Sequence, residues 1–114
     1  MLPKPYRLTR NDAIDDIFMK GKKVATPFFV IRIRENHLPL SRLAIIVSKK
    51  ISKKAVERNL LKRRIRGIIH ESLSFVRKGL DIIIGANSNV LIAMSYEDIK
   101  KELVVALQKG NLIT

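Results

Sequence analysis

Residues 42–84 read RLAIIVSKKISKKAVERNLLKRRIRGIIHESLSFVRKGLDIII, and the succession of patterns within them decides the fold. Arg42–Ser48 is a short apolar run rich in β-branched residues, the signature of a strand. From about Ser52 to Val76 the period changes. Leu61, Ile65, Ile68, Ile69, Ser72 and Val76 fall within one narrow arc at about 100° per residue, which predicts a long helix with a single apolar side and Ser52 as a candidate N-cap. Gly79 is placed to stop that helix, and Leu80–Ile84 is again a buried-type strand, closed by the turn-rich Gly85-Ala86-Asn87-Ser88-Asn89. Strand, helix and strand in succession imply a parallel crossover.

Outward from this unit, Pro27 precedes Phe28-Phe29-Val30-Ile31-Arg32-Ile33-Arg34, whose alternation predicts a strand ending near Glu35 with one buried face. The loop Asn36–Leu40 joins it to Arg42–Ser48, and an antiparallel pair of these two strands is expected. On the N-terminal side, Thr9 with Asp12 three places on resembles a capping box, and Ile14, Ile17 and Phe18 follow at helical spacing, predicting a helix over 9–20. On the C-terminal side, Ser95 and Asp98 open a last helix, Tyr96 to about Lys109, with Ile99, Leu103 and Leu107 facing inward. The order α-β-β-α-β-α describes an α+β two-layer sandwich in which helices cover a small mixed sheet.

A chain of 114 residues with 46% hydrophobic residues holds one core, so residues 1–114 are read as a single domain. There is no cysteine, hence no disulfide framework and no thiolate metal site, as in a protein of a reducing cytoplasm. No stretch approaches the roughly 20 apolar residues that cross a bilayer, and the N-terminus lacks an apolar run of signal length. A cytoplasmic protein without a membrane partner is expected.

The formal charge is +13, and it is not spread evenly. Residues 49–66 contain Lys49, Lys50, Lys53, Lys54, Arg58, Lys62, Arg63, Arg64 and Arg66 against the single acid Glu57, so eighteen residues supply +8 of the total. Solubility needs only a few charges of mixed sign, whereas a run of this density is the footprint of a polyanion site. On the helix, Arg58, Lys62 and Arg66 form one stripe with Asn59 and Arg63 beside it. Guanidinium forks match phosphate oxygens, and the Asn amide suits a base edge or a 2′-hydroxyl.

A second RNA surface is legible on the first strand. Phe29, Ile31 and Ile33 share one face, and Phe28, Val30, Arg32 and Arg34 share the other. An aromatic, an aliphatic and two cations suit stacked, unpaired bases with their phosphates, and Phe18 would border this surface from the first helix. Phe18 and Phe28 would serve equally well as core aromatics in a chain with six aromatic residues. Protein-borne nuclease chemistry has little to rest on. His37 and His70 stand apart from any partner ligand, and Asp12, Asp15 and Asp16 lie where carboxylates meet a helix dipole. No catalytic residue and no metal ligand is therefore expected on the protein.

The run Ser48-Lys49-Lys50-Ile51-Ser52-Lys53-Lys54 followed by Arg58-Asn59-Leu60-Leu61-Lys62-Arg63-Arg64-Ile65-Arg66 resembles the signature of the bacterial ribonuclease P protein family, a Lys-Lys pair and then Arg-Asn-Arg-x-Lys-Arg-x-x-Arg. Tyr6-Arg7-Leu8-Thr9 with Phe18, Arg42-Leu43-Ala44-Ile45 and Asp81-Ile82-Ile83-Ile84 extend the resemblance over most of the chain. Two departures stand out: Leu60 in place of the motif's second Arg, and Gly85-Ala86-Asn87 where an Arg or Lys is common. The resemblance implies a ribosomal protein S5 domain 2-like fold with a left-handed βαβ crossover, an exception to the usual right-handed rule. It also implies a protein subunit of an RNA-based endoribonuclease (EC 3.1.26.5), monomeric and bound one-to-one to ribonuclease P RNA. In this reading the RNA carries catalysis and holds most of the Mg²⁺, removing the 5′ leader of precursor tRNA. Lys49, Lys50, Lys53, Lys54, Arg58, Asn59, Lys62, Arg63 and Arg66 would then contact RNA, while Phe18, Phe28, Val30 and Arg32 would line a leader-binding cleft. A ribosomal-type RNA-binding protein and a stand-alone metal-dependent nuclease are the competing classes; the signature disfavours the first and the missing carboxylate cluster the second.

Overall fold

In the computed structural model, which describes residues 21–113, the chain enters as an antiparallel hairpin of β1 (Lys22–Ala25) and β2 (Phe29–Glu35). The turn is held by Thr26, whose Oγ1 accepts from the backbone N–H groups of Phe28 and Phe29 at 3.3 and 3.0 Å. β1 is absent from the sequence reading because only Val24 of its four residues is buried and two lysines break any apolar alternation. That composition is how an edge strand discourages pairing with another chain. The helix expected over 9–20 lies outside the described residues.

β3 (Arg42–Ile46) and β4 (Leu80–Ala86) complete a four-stranded sheet in the order β1-β2-β4-β3. β4 pairs antiparallel with β2, Phe29 opposite Ala86 through Glu35 opposite Leu80, and parallel with β3, Arg42 opposite Asp81 through Ile46 opposite Gly85. The expected antiparallel pairing of β2 with β3 is therefore corrected: β4 lies between them. The reason is burial, for Leu80–Ile84 is buried at every position and a strand buried on both faces belongs at the centre of a sheet. β4 also runs on through Gly85 and Ala86, two residues whose composition had read as turn.

The crossover from β3 to β4 is made by α1 (Ala55–Ser72), shorter at both ends than the expected 52–76. Ser52 is not its N-cap. Lys54 takes that position without a side-chain cap, and the Ser52 hydroxyl instead accepts from the Lys54 N–H and donates to Glu57. At the other end a 3₁₀ turn over Leu73–Phe75 carries the chain out of the helix, and Val76 bridges to Ile113. Gly79, at φ +82°, shapes the entry to β4 rather than the end of α1. A second 3₁₀ segment, Asn89–Ala93, leads to α2 (Tyr96–Lys109), whose bounds agree with the sequence reading. The Ser95 hydroxyl accepts the Asp98 N–H at 3.2 Å, as an N-cap should. Ser95→Ala is expected to lower unfolding stability by about 1 kcal/mol in a denaturant titration, with an unchanged m-value.

Both helices lie on one face of the sheet. Leu61, Ile65, Ile68 and Ile69 of α1 and Ile99, Leu103 and Leu107 of α2 form one core with Phe29, Ile31, Leu43, Ile82 and Ile84. The helices are latched to each other by Glu71, which accepts from the Tyr96 hydroxyl at 2.7 Å and from Lys100 Nζ at 3.0 Å. Gly67 leaves room for that ring, since a Cβ there would stand 3.2 Å from the Tyr96 hydroxyl oxygen. The hydrogen bond to Glu71 raises the pKa of the Tyr96 hydroxyl to about 12. The opposite face carries Val30, Arg32 and Arg34 of β2, Ala44 and Ile46 of β3, and Asp81, Ile83 and Gly85 of β4, aligned in rows by the register.

Candidate nucleic-acid interface

α1 separates its two roles by periodicity. Leu61, Ile65, Ile68 and Ile69 are buried, which turns Asn59 and Arg63 fully to the outside and leaves Arg58, Lys62 and Arg66 half-exposed along one flank. Lys49, Lys50, Lys53 and Lys54 are all exposed on the turn before the helix. Arg58 has an additional role: its Nη1 donates to the Ser52 carbonyl at 2.9 Å and so staples that lysine-bearing turn to the helix. Arg64, on the other flank, donates to the Met94 carbonyl at 3.2 Å and ties α1 to the segment before α2. The crest between the flanks is not wholly cationic, because Val56 and Leu60 are both exposed on it.

The open face of the sheet holds a cleft of about 400 Å³ lined by Lys23, Val30, Arg32, Ile46, Ser48, Lys50, Ile83 and Gly85. Val30 and Arg32 thus come together as the strand alternation indicated. Phe28 does not line this cleft: it precedes β2, packs half-buried against the main core, and its carbonyl accepts from the Asn87 N–H at 2.8 Å. Phe18 lies outside the described residues. Lys23, Ile46, Ile83 and Gly85, each on a strand, and Ser48, two residues past β3, line the cleft without being singled out by the sequence pattern. Their assembly depends on the order β1-β2-β4-β3, which puts Val30 beside Gly85 and Gly85 beside Ile46. Lys50 belongs to both surfaces, lining the cleft and standing near the start of the basic run that leads into α1.

Two residues before Ile83 along β4, the same face carries a buried carboxylate. Asp81 is 0% exposed and accepts from Arg42 Nε at 2.9 Å, Arg42 Nη2 at 2.8 Å, Arg34 Nη2 at 3.2 Å and Asn36 Nδ2 at 2.9 Å. Burial alone would push the carboxyl up; the bonds from Arg42, Asn36 and Arg34 outweigh it and hold Asp81 below the ordinary carboxylate range. Asn36 also donates to the Leu40 carbonyl at 3.2 Å, so the network fixes the β2–β3 loop, in which His37 adopts a φ of +58°. Asp81 is therefore saturated. No group of three His, Cys, Asp or Glu side chains that could hold a metal ion occurs among the described residues. Among them, too, no helix is long and apolar enough to cross a membrane.

The basic helix and the cleft sit in a chain that the Ribonuclease P family model matches over residues 2–111. The chain belongs to the ribonuclease P protein family. The ribonuclease P protein component of Bacillus cereus (strain Q1) is 34% identical over 112 residues, covering 97% of this chain and 96% of that one. The component from Pseudanabaena sp. (strain PCC 6903) is 31% identical over 114 residues, covering 99% and 97%. Among solved structures, a mutant of the Staphylococcus aureus RNase P protein superposes with a TM-score of 0.87 at 32% identity, covering 96% of this chain and 92% of that one. The mixed four-stranded sheet with its two described helices is thus the ribonuclease P protein fold, of bacterial type. Within that family's Arg-Asn motif, this chain places Leu60 on the exposed crest of α1 where an arginine would add a further cation.

Proposed function

We propose that this chain is the RNA-binding protein subunit of a ribonuclease P ribonucleoprotein, a cytoplasmic tRNA-processing endoribonuclease. The basic face of α1 and the lysines before it bind ribonuclease P RNA, one protein to one RNA. The cleft on the open sheet face takes the single-stranded 5′ leader of precursor tRNA. Bond cleavage belongs to the RNA, with the Mg²⁺ that RNA holds, and the protein contributes binding. The observation that carries this reading is the position of Lys50, where the basic run and the cleft meet: a leader strand in the cleft and a folded RNA on α1 share one positive field. Such a field lowers the repulsion between two polyanions and weakens with salt. Unpaired bases find Val30 and Ile46 as apolar surface, with Arg32, Lys23 and Lys50 for their phosphates.

The test is cleavage of a precursor tRNA by bacterial ribonuclease P RNA at low Mg²⁺, with and without the protein, beside the protein alone. Cleavage at the mature 5′ end is expected only when both are present. A protein that binds structured RNA yet adds nothing to cleavage would be a ribosomal-type binder, and cleavage by the protein alone would demand a protein active site.

A further inference from the structure

Gly85 is a glycine that nothing among the described residues requires. It lies inside β4, the central strand, with Val30 and Ile46 as its neighbours across the sheet. A glycine there weakens the strand, which a β-branched residue would suit better. Its backbone lies outside the left-handed region, unlike that of Gly79 at φ +82°. Nor does crowding demand it: among the described residues a Cβ at Gly85 would meet only the Val30 carbonyl oxygen, at 3.4 Å. What the missing side chain does is lower the floor of the cleft by one residue between two aliphatic neighbours. Bare peptide at the bottom of an apolar-walled notch is a seat for a flat group, and a glycine within a strand commonly marks such close approach.

We infer that Gly85 is a specificity-determining residue whose notch seats one unpaired nucleobase of the leader, flat on β4 between Val30 and Ile46. The cations lining the same cleft, Arg32, Lys23 and Lys50, meet the phosphates on either side of that base. The inference rests on the reading of the cleft as the leader site. It adds that one leader base is bound more closely than the others.

The test uses Gly85→Val and Gly85→Ala, each assembled with ribonuclease P RNA, and compares affinity for precursor tRNA with affinity for mature tRNA. Gly85→Val is expected to melt no lower than the parent protein, yet to bind precursor about tenfold more weakly with mature tRNA unaffected; Gly85→Ala loses less. Abasic substitution along the leader should cost the parent complex affinity at one position, and that cost should vanish in Gly85→Val. If Gly85→Val keeps the parent's preference for precursor, there is no seated base. If both variants melt lower than the parent, the space serves packing within the chain, which also overturns the inference. Should the parent complex itself show no preference for precursor, the leader reading of the cleft fails first.

Discussion

Replacing Lys62 and Arg63 together by Ala is expected to weaken binding to ribonuclease P RNA roughly 40-fold near 0.1 M monovalent salt, taking two lost phosphate contacts at about 0.8 unit of salt slope each. The same pair should flatten the plot of log affinity against log salt by about 1.6 units. These two residues are chosen because Arg63 is exposed and Lys62 half-exposed, and Ala is the strongest helix former. Arg58 is the poorer probe of the same face, since losing it also releases the Ser52 carbonyl and the lysine-bearing turn. Titration at several salt concentrations, with a thermal melt as control, reads both effects. A slope unchanged from the parent would remove this face of α1 from the RNA interface.

Asp81→Ala should instead destabilise the fold. A buried carboxylate with charged partners typically costs 3–5 kcal/mol to delete, and because Arg34 and Arg42 are 30% and 21% exposed the expected loss is at the low end, about 3 kcal/mol. That corresponds to a fall in Tm of roughly 12 °C or more for a domain of this size. The pH dependence has a definite sign. Because the folded state holds Asp81 below its ordinary value, its contribution is fully present above the unfolded pKa of about 4 and is lost as pH falls through the lower folded value. The stability gap between parent and Asp81→Ala is therefore expected to be constant from pH 5 upward and to narrow below about pH 4. Chemical denaturation at a series of pH values measures it. A gap independent of pH down to full acid unfolding would mean that the carboxylate's charge is not what Arg34 and Arg42 bind.

Local pattern carried much of this protein. The bounds of α2, its Ser95 cap, the buried side of α1 and the buried face of β2 all follow from periods of 3.6 and 2 and from short-range capping chemistry, which a linear sequence displays directly. The basic face of α1 was equally legible, because side chains three and four residues apart on one helix stay neighbours whatever the helix packs against. Errors arose where a competing local bond was stronger than the expected one. Ser52 bonds Glu57 and the Lys54 N–H instead of capping a helix that starts later, and Gly85-Ala86, turn-like in composition, is drawn into the ladder by pairing with Val30 and Phe29.

By itself, then, the sequence determined the element types of the crossover, the concentration of charge on one helix, and the family signature, since all three are properties of contiguous residues. Only the tertiary structure decided the strand order, and with it everything that depends on residues distant in the chain. Val30, Gly85 and Ile46 become one row of a cleft floor, Lys50 becomes its link to α1, and Asp81 meets Arg34, Arg42 and Asn36. The physical reason is that periodicity tells which face of a strand is buried but not which strand lies beside it. That choice is made by the burial of both faces of β4, which draws it to the centre of the sheet between β2 and β3.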